Sequence, residues 1–125
     1  IGLSNFNINQ CEDVLKNCRI KPVCNQIEVH PYFQNDELVN FCQNNGIIVQ
    51  AYSPLGAVDL SVSNEDVPNV LLDENLIRIG RKYNKTAAQV CLRWSIQRGC
   101  VPIVKALVKD QIVENAQVNV FQSLI

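Results

Sequence analysis

The feature that most constrains the fold is a regular alternation of short β-branched runs with longer segments of helical periodicity. The β-branched runs lie at residues 1–3, 23–29, 47–51 and 100–104, and a helical segment follows each of them. Strands separated by helices need crossover connections, which produce parallel pairing. We therefore predict the α/β class, with four parallel strands and flanking helices.

Five segments show helical periodicity, and four of them begin at recognisable caps. The predicted starting residues are Asn7, Asn35, Asp73 and Thr86, and a shorter fifth helix is predicted around Asp110 to Glu114. Gly46 and Gly99 are expected to end the second and fourth helices. Thr86 and Gln89 have the spacing of a capping box. The buried face predicted for the third helix consists of Leu72, Leu76, Ile79 and Tyr83.

The second strand carries polar residues where a buried parallel strand should be apolar. Cys24, Gln26, Glu28 and then His30 alternate along one of its faces. Unpaired buried amides cost roughly 1–3 kcal/mol each, so this face is predicted to line a barrel lumen or a ligand cleft. We interpret His30 as structural and expect Glu28 to pair with a neighbour. Residues 52–71 are predicted to form a long loop.

Composition excludes several classes of protein. Eleven basic and twelve acidic residues give a net charge of -1, which excludes a nucleic-acid binder held by phosphate neutralisation. The longest uncharged stretch, residues 39–58, contains Asn, Gln, Gly and Pro, so no membrane span is predicted. Six Cys without a Cys-x-x-Cys motif predict free thiols in a reducing compartment, the cytoplasm, and no metal site. Because the sequence has no Met, we expect a processed product or a piece of a longer chain.

Three motifs resemble consecutive landmarks of the aldo-keto reductases in order and spacing. They are Ile-Gly-Leu-Ser-Asn-Phe-Asn at 1–7, Lys-Pro-Val-Cys-Asn-Gln-Ile-Glu-Val-His-Pro-Tyr at 21–32 and Ala-Tyr-Ser-Pro-Leu-Gly at 51–56. The agreement continues through residues 86–90 and 114–115. The resemblance implies a (β/α)8 barrel, which needs about 250 residues. Residues 1–125 are therefore expected to form the carboxyl-terminal half of such a domain, a partial TIM-type barrel containing strands five to eight.

The resemblance also implies an activity and its limits. Members of the family transfer hydride from NAD(P)H to the carbonyl of a small aldehyde or ketone, and a Tyr assisted by Lys, Asp and His acts as general acid. All four residues belong to the first half of the barrel, so no catalytic residue is assigned here. General acid catalysis contributes roughly 10²–10⁴-fold. We therefore predict that this chain alone is inactive.

The resemblance implies that most of a dinucleotide site remains. Ser4, Asn5 and Gln26 would bind the nicotinamide carboxamide, and Tyr52 would stack on the nicotinamide ring. Amide side chains suit a carboxamide because they donate and accept hydrogen bonds at once. The other positions that match cofactor contacts of the family are Ser53, Leu55, Asp59, Lys105 and Asn115.

The carboxyl-terminal corner departs from the family pattern. NADP-preferring reductases show Pro-Lys-Ser after the last strand and an Arg six residues beyond the Lys, whereas this chain has Val104, Lys105 and Ala106, with Gln111 at the Arg position. A guanidinium binds phosphate through two hydrogen bonds. NADP(H) is the expected cofactor, and its preference over NAD(H) is expected to be weakened by Ala106 and Gln111.

Two alternatives to half of a reductase stay open. One is a truncated product without activity, and the other is a non-enzymatic binding or structural protein with the same fold. In every case a half-barrel leaves one sheet face and both edge strands uncovered. We therefore expect the isolated chain to self-associate through its open edges.

Overall fold

Residues 1–56 and 69–118 are described by the structure, a computed structural model, and they form one parallel sheet with helices. The strands are β1 (Gly2–Ser4), β2 (Cys24–Glu28), β3 (Ile48–Tyr52) and β4 (Val101–Ile103). The helices are α1 (Ile8–Asn17), α2 (Asp36–Asn44), α3 (Glu74–Lys82), α4 (Ala87–Gln97) and α5 (Lys109–Ala116). The strand order is β1-β2-β3-β4 with every pair parallel, which confirms the predicted α/β class.

Side-chain hydrogen bonds explain where α1, α3 and α4 begin, whereas the predicted cap Asn35 precedes α2 without a capping bond from its side chain. The Asn7 side chain accepts from Gln10 N at 2.9 Å, and the Gln10 side chain accepts from Asn7 N at 2.9 Å, which forms a reciprocal capping box. Thr86 and Gln89 form the predicted second capping box at the start of α4. Asp73 Oδ1 accepts from two backbone N–H groups in the first turn of α3. These bonds satisfy amides that have no partner within the helix.

The predicted buried face of the third helix is wrong at both ends. Residues Val70–Leu72 form a separate 3-10 turn before the cap at Asp73, and Leu72 is 71% exposed. Tyr83 follows the last residue of α3 and is also exposed. Leu76 is the apolar residue of the predicted set that is buried. The 3-10 turn lies in the predicted long loop, of which residues 57–68 fall outside the described part of the chain.

One face of the sheet, here called the covered face, packs against helices. Two apolar clusters lie on the helical side. The cluster under α1, α2 and α4 contains Ile27, Val29, Val39, Cys42, Ile47, Val49, Ala51, Trp94 and Cys100. The cluster among the 3-10 turn, α3 and α4 contains Val70, Leu76, Ala87, Val90 and Cys91. Burial of these side chains supplies the main driving force for folding.

The opposite face, here called the open face, has no helix against it among the described residues. Its side chains alternate with those of the covered face, and they are half-buried or exposed. The strand positions on this face are Gly2, which has no side chain, and Ser4, Cys24, Gln26, Glu28, Ile48, Gln50, Tyr52, Val101 and Ile103. This alternation confirms that the polar positions predicted in β2 share a face that is not packed into the apolar core.

All six cysteines are free thiols. Four of them are buried on the helical side, and Cys18 and Cys24 are half-buried. In the described ranges, no group of three or more His, Cys, Asp or Glu residues is arranged to hold a metal ion. None of the helices found there has the length and apolar character needed to cross a bilayer.

Candidate functional site

Strand register places three polar residues in one row across the open face. Ser4 is in register with Gln26, and Gln26 is in register with Gln50, so the three lie side by side on β1, β2 and β3. We call this set the polar row. The next row toward the carboxyl ends of the strands contains Glu28 and Tyr52. Barrel enzymes place their sites at this end of the sheet.

The turn after β1 continues the pairing with β2. Asn5 has a φ of 56°, a left-handed conformation that Asn tolerates better than most residues. In this conformation, Asn5 N donates to Gln26 O at 2.8 Å. The bond places the exposed Asn5 side chain next to the polar row.

Buried Asn25 holds this turn from the covered side of the sheet. Its Nδ2 donates to Phe6 O at 2.9 Å, and its Oδ1 accepts from Phe6 N at 3.4 Å. Asn25 is 0% exposed, so these bonds satisfy an amide that would otherwise be buried at a cost. Sequence reasoning missed this role. The available signal was an Asn at a position where the alternation of β2 requires an inward side chain.

Gln26 and Gln50 are joined directly. Gln26 Nε2 donates to Gln50 Oε1 at 2.9 Å, and both side chains are half-buried. Within residues 1–56 and 69–118, no partner contacts Ser4 Oγ, the Asn5 side chain or Gln26 Oε1. Unused donors and acceptors therefore converge at the carboxyl end of the sheet. Sequence reasoning did not identify Gln50.

Tyr52 ends β3 beside these groups. Its side chain is half-buried, and its carbonyl accepts from Val29 N at 3.4 Å. A recess of about 170 Å³ opens at this rim, lined in part by Asn5, Glu28 and Tyr52. A larger groove of about 700 Å³ lies between the amino-terminal ends of α1 and α2, and none of the polar row lines it. The polar row does not line the smaller recess either, so the candidate site is placed by the polar row itself, on the open face toward the carboxyl ends of the strands, and not by a cavity.

The segment after β3 positions two further predicted residues. Ser53 has a φ of 47°, and its carbonyl accepts from Gly56 N at 2.8 Å, which closes a tight turn. Leu55 packs against the apolar cluster beside α3 and α4. Asp59 lies outside the described residues.

The two predicted residues near the carboxyl terminus lie apart from the polar row. Lys105 is exposed two residues after β4, and Asn115 is half-buried on α5. Helix α5 is attached to α4, since Gln89 Nε2 donates to Glu114 O at 2.9 Å. In the part of the chain that the structure describes, no hydrogen bond or ion pair joins Lys105 or Asn115 to the polar row.

Glu28, for which the sequence predicted an unspecified neighbouring partner, pairs with His30. Glu28 Oε1 and His30 Nε2 are 3.3 Å apart, while His30 Nδ1 is buried without a partner among the described residues. The following loop is tied to α3, because Tyr32 Oη donates to Asp73 Oδ2 at 2.6 Å. That bond raises the pKa of Tyr32 to about 12 and holds the pKa of Asp73 below its usual value. Both contacts stabilise the rim next to the site.

Comparison with known proteins gives a consistent result. The model of the Aldo/keto reductase family matches residues 1–124. The chain is 43% identical over 118 residues to aldo-keto reductase family 1 member A1 of Gallus gallus. This match covers 94% of this chain and 36% of that protein. It is 46% identical over 121 residues to aldo-keto reductase family 1 member D1 of Mus musculus, and this match covers 94% of this chain and 37% of that protein.

Solved structures show the same similarity in three dimensions. A crystal structure of the aldo-keto reductase AKR2E5 complexed with NADPH has a TM-score of 0.89 and 42% identity, and covers 98% of this chain and 38% of that one. A crystal structure of AKR2E5 of the silkworm, Bombyx mori, has a TM-score of 0.88 and 43% identity, and the match covers 98% of this chain and 37% of that one. The chain thus spans 36–38% of the length of these relatives. The matching family model and this shared fold show that the chain belongs to the aldo/keto reductase family.

Proposed function

We propose that this chain is the carboxyl-terminal half of an NAD(P)H-dependent carbonyl reductase barrel and that it supplies the nicotinamide site. The observation that carries the proposal is the group of unused polar atoms at the carboxyl end of the sheet. Ser4 Oγ, the Asn5 amide and Gln26 Oε1 have no partner among the described residues. Polar groups that converge in this way are typical of ligand sites. A related structure that binds NADPH supports the assignment.

The residues present fit a nicotinamide. Its carboxamide has one acceptor and two N–H donors, and the hydroxyl and amide groups of the site can satisfy both kinds. The half-buried ring of Tyr52 offers an aromatic plane next to them. When bound, the dinucleotide supplies the hydride. The chain's own residues hold the carboxamide and fix which face of the ring is presented.

The chemistry needs groups beyond this chain. No residue here matches the Tyr, Lys, Asp or His of the family's acid catalysis, so we assign no proton donor to the chain. We propose that the remaining strands of the barrel supply these groups and close over the open face. The substrate would be a small aldehyde or ketone. The free thiols suit a reducing compartment such as the cytoplasm.

We further propose that the preference for NADP(H) over NAD(H) is reduced. Gln111 Oε1 accepts from Leu107 N at 2.9 Å, so its side chain is engaged in the loop before α5. Lys105 is the cation that remains in the matched motif, and Ala106 supplies no hydroxyl. A bidentate Arg contact with phosphate is among the stronger charge-assisted bonds. Gln111→Arg should therefore raise the NADPH preference several-fold.

The proposal is tested by titrating the chain with NADPH in a calorimeter. We expect saturable binding with a submillimolar to millimolar Kd. Gln26→Leu should weaken it about tenfold, because the carboxamide then lacks a hydrogen-bond partner. Gln43→Leu is the matched control, since Gln43 is an exposed residue of α2 whose side chain donates to Arg98 O away from the site. Absence of saturable binding, or equal losses in both variants, would overturn the proposal.

A further inference from the structure

We propose that Gln50 is a positioning residue that sets the orientation of the Gln26 side-chain amide. In this role it presents Gln26 Oε1, rather than Nε2, to the ligand. The inference rests on the proposed function, because it assumes that Gln26 contacts a carboxamide. It adds a residue on β3 to that site and a rule for which ligands the site favours.

The geometry that supports this role is local. Gln50 is the register partner of Gln26 on the neighbouring strand, and both side chains stand on the open face. Strands in a sheet are about 4.8 Å apart, so side chains in register can bond directly across them. Gln26 Nε2 donates to Gln50 Oε1 at 2.9 Å. With its nitrogen held toward β3, the Gln26 oxygen is directed away from Gln50.

The two amides are coupled in orientation. A primary amide has acceptor and donor ends, and rotation by half a turn exchanges them. Rotation of Gln26 alone would bring two carbonyl oxygens together, so Gln26 can reverse only if Gln50 reverses with it. The orientations of the two side chains are therefore linked, and in the observed pair, with Gln50 Oε1 toward β2, the Gln26 oxygen is the end left for the ligand. Val101, the register partner of Gln50 on its other side, has no hydrogen-bonding side chain to compete.

The orientation has a chemical consequence for the ligand. An exposed Gln26 oxygen accepts a hydrogen bond from the amino group of a carboxamide. A ligand with an acetyl group in that place has no such donor and leaves the oxygen unpaired. The site should therefore favour NADP⁺ over its 3-acetylpyridine analogue. A single neutral hydrogen bond corresponds to roughly a three- to tenfold difference in Kd.

The first test needs no ligand. In nuclear magnetic resonance spectra of the full chain, the Gln26 side-chain amide should exchange its protons more slowly than that of exposed Gln10, whose Nε2 donates to no acceptor among the described residues. Gln50→Leu should remove that protection, and Gln50→Glu should retain it, since a carboxylate can only accept. Fast exchange in the wild-type chain, or protection that survives Gln50→Leu, would overturn the inference.

The second test measures the ratio of Kd values for the 3-acetylpyridine analogue and NADP⁺. We expect the wild-type ratio to persist in Gln50→Glu and to fall toward one in both Gln50→Leu and Gln50→Lys. A lysine has donors only, so it should attract the Gln26 oxygen and turn Nε2 toward the ligand. Ile103→Lys is the control, since it adds the same charge on the same face but in register with Tyr52 and not with Gln50 or Gln26.

The outcomes separate the two proposals. Saturable NADP⁺ binding with a ratio that is the same in every Gln50 variant would overturn the positioning role and leave the nicotinamide site intact. No saturable binding of either dinucleotide by the wild-type chain would overturn the proposed function and this inference with it. A ratio that changes equally in Ile103→Lys would show an effect of charge and would also overturn the inference.

Discussion

The two faces of the sheet are made from the same four strands, yet they differ in burial and in how fully their polar groups are hydrogen-bonded. On the covered face, side chains such as Ile27 and Val49 are 2% and 0% exposed and pack against helices. On the open face, Ile48 is 52% exposed, and the polar groups of Ser4 and Gln26 are not fully used within the described residues. The covered face stabilises this chain. We expect the open face to make contacts that the described residues do not provide.

Two neighbouring amides of β2 show the contrast most clearly. Asn25 points to the covered face and bonds both backbone groups of Phe6. Gln26 points to the open face and has one bond, to Gln50. Polar groups in a protein interior are almost always satisfied. A buried amide with both ends used is therefore interpreted as structural, and an amide with an unused end on the open face as available to a ligand.

The largest difference is expected for the same substitution on the two faces. Ile27→Ala should lower the free energy of unfolding by about 2–5 kcal/mol, because it opens a cavity in the core. Ile48→Ala should lower it by less than about 1 kcal/mol, since Ile48 is largely in contact with solvent. Urea denaturation of both variants measures the difference. Equal losses would mean that the open face is packed in solution.

Thiol reactivity should separate the four buried cysteines from the two half-buried ones. Burial raises the pKa of Cys91 to about 12 and that of Cys11 to about 11, and it also raises those of Cys42 and Cys100. The thiolate is the reactive form, so these four should react slowly with iodoacetamide at pH 8. Cys24, on the open face, and Cys18 should react first. Peptide mass mapping over time checks the order, and early modification of Cys91 would contradict it.

Substitution of the two neighbouring amides, Asn25 and Gln26, should have different effects on stability and on binding. Asn25→Ala should cost about 1–3 kcal/mol of unfolding free energy, because it leaves Phe6 O without its partner. Gln26→Ala should cost less than about 0.5 kcal/mol and should instead weaken NADPH binding. Thermal unfolding and calorimetric titration of both variants provide the two readouts. The contrast is lost if Gln26→Ala is the more destabilising change.

The smallest effect is expected for association of the chain with itself. Ile48, Val101 and Ile103 are 52%, 46% and 46% exposed on the open face, and β1 and β4 are the two edges of the sheet. Sedimentation should therefore show association that depends on concentration, and Ile103→Lys should weaken it about tenfold by placing a charge in the contact. A monomer at every concentration would contradict this expectation.

Features fixed by neighbouring residues could be predicted from the sequence. Caps such as Asn7, Asp73 and Thr86 depend on residues two or three positions away, so their helices start where predicted. The parallel sheet followed from the order of strands and helices. The face shared by Gln26 and Glu28 followed from the two-residue period of a strand.

Features fixed by residues far apart in the chain could not be predicted from the sequence. The Gln26–Gln50 bond needs the register of β2 against β3, which no local pattern contains. The Tyr32–Asp73 contact joins residues 41 positions apart. Leu72 continues the helical spacing of α3 in sequence, but the cap at Asp73 interrupts the helix, and Leu72 lies in the preceding turn. In each case the local sequence is compatible with more than one arrangement, and a tertiary contact or a helix cap determines which one forms.

The central claim is that the open face at the carboxyl ends of the strands holds a pyridine dinucleotide. Mapping amide chemical shifts of the full chain during a titration with NADPH tests it most directly. We predict saturable shifts at Ser4, Asn5, Gln26 and Tyr52, with little change at Val39 and Trp94 in the core under the covered face. Shifts confined to the helices, or none at millimolar NADPH, would contradict the account.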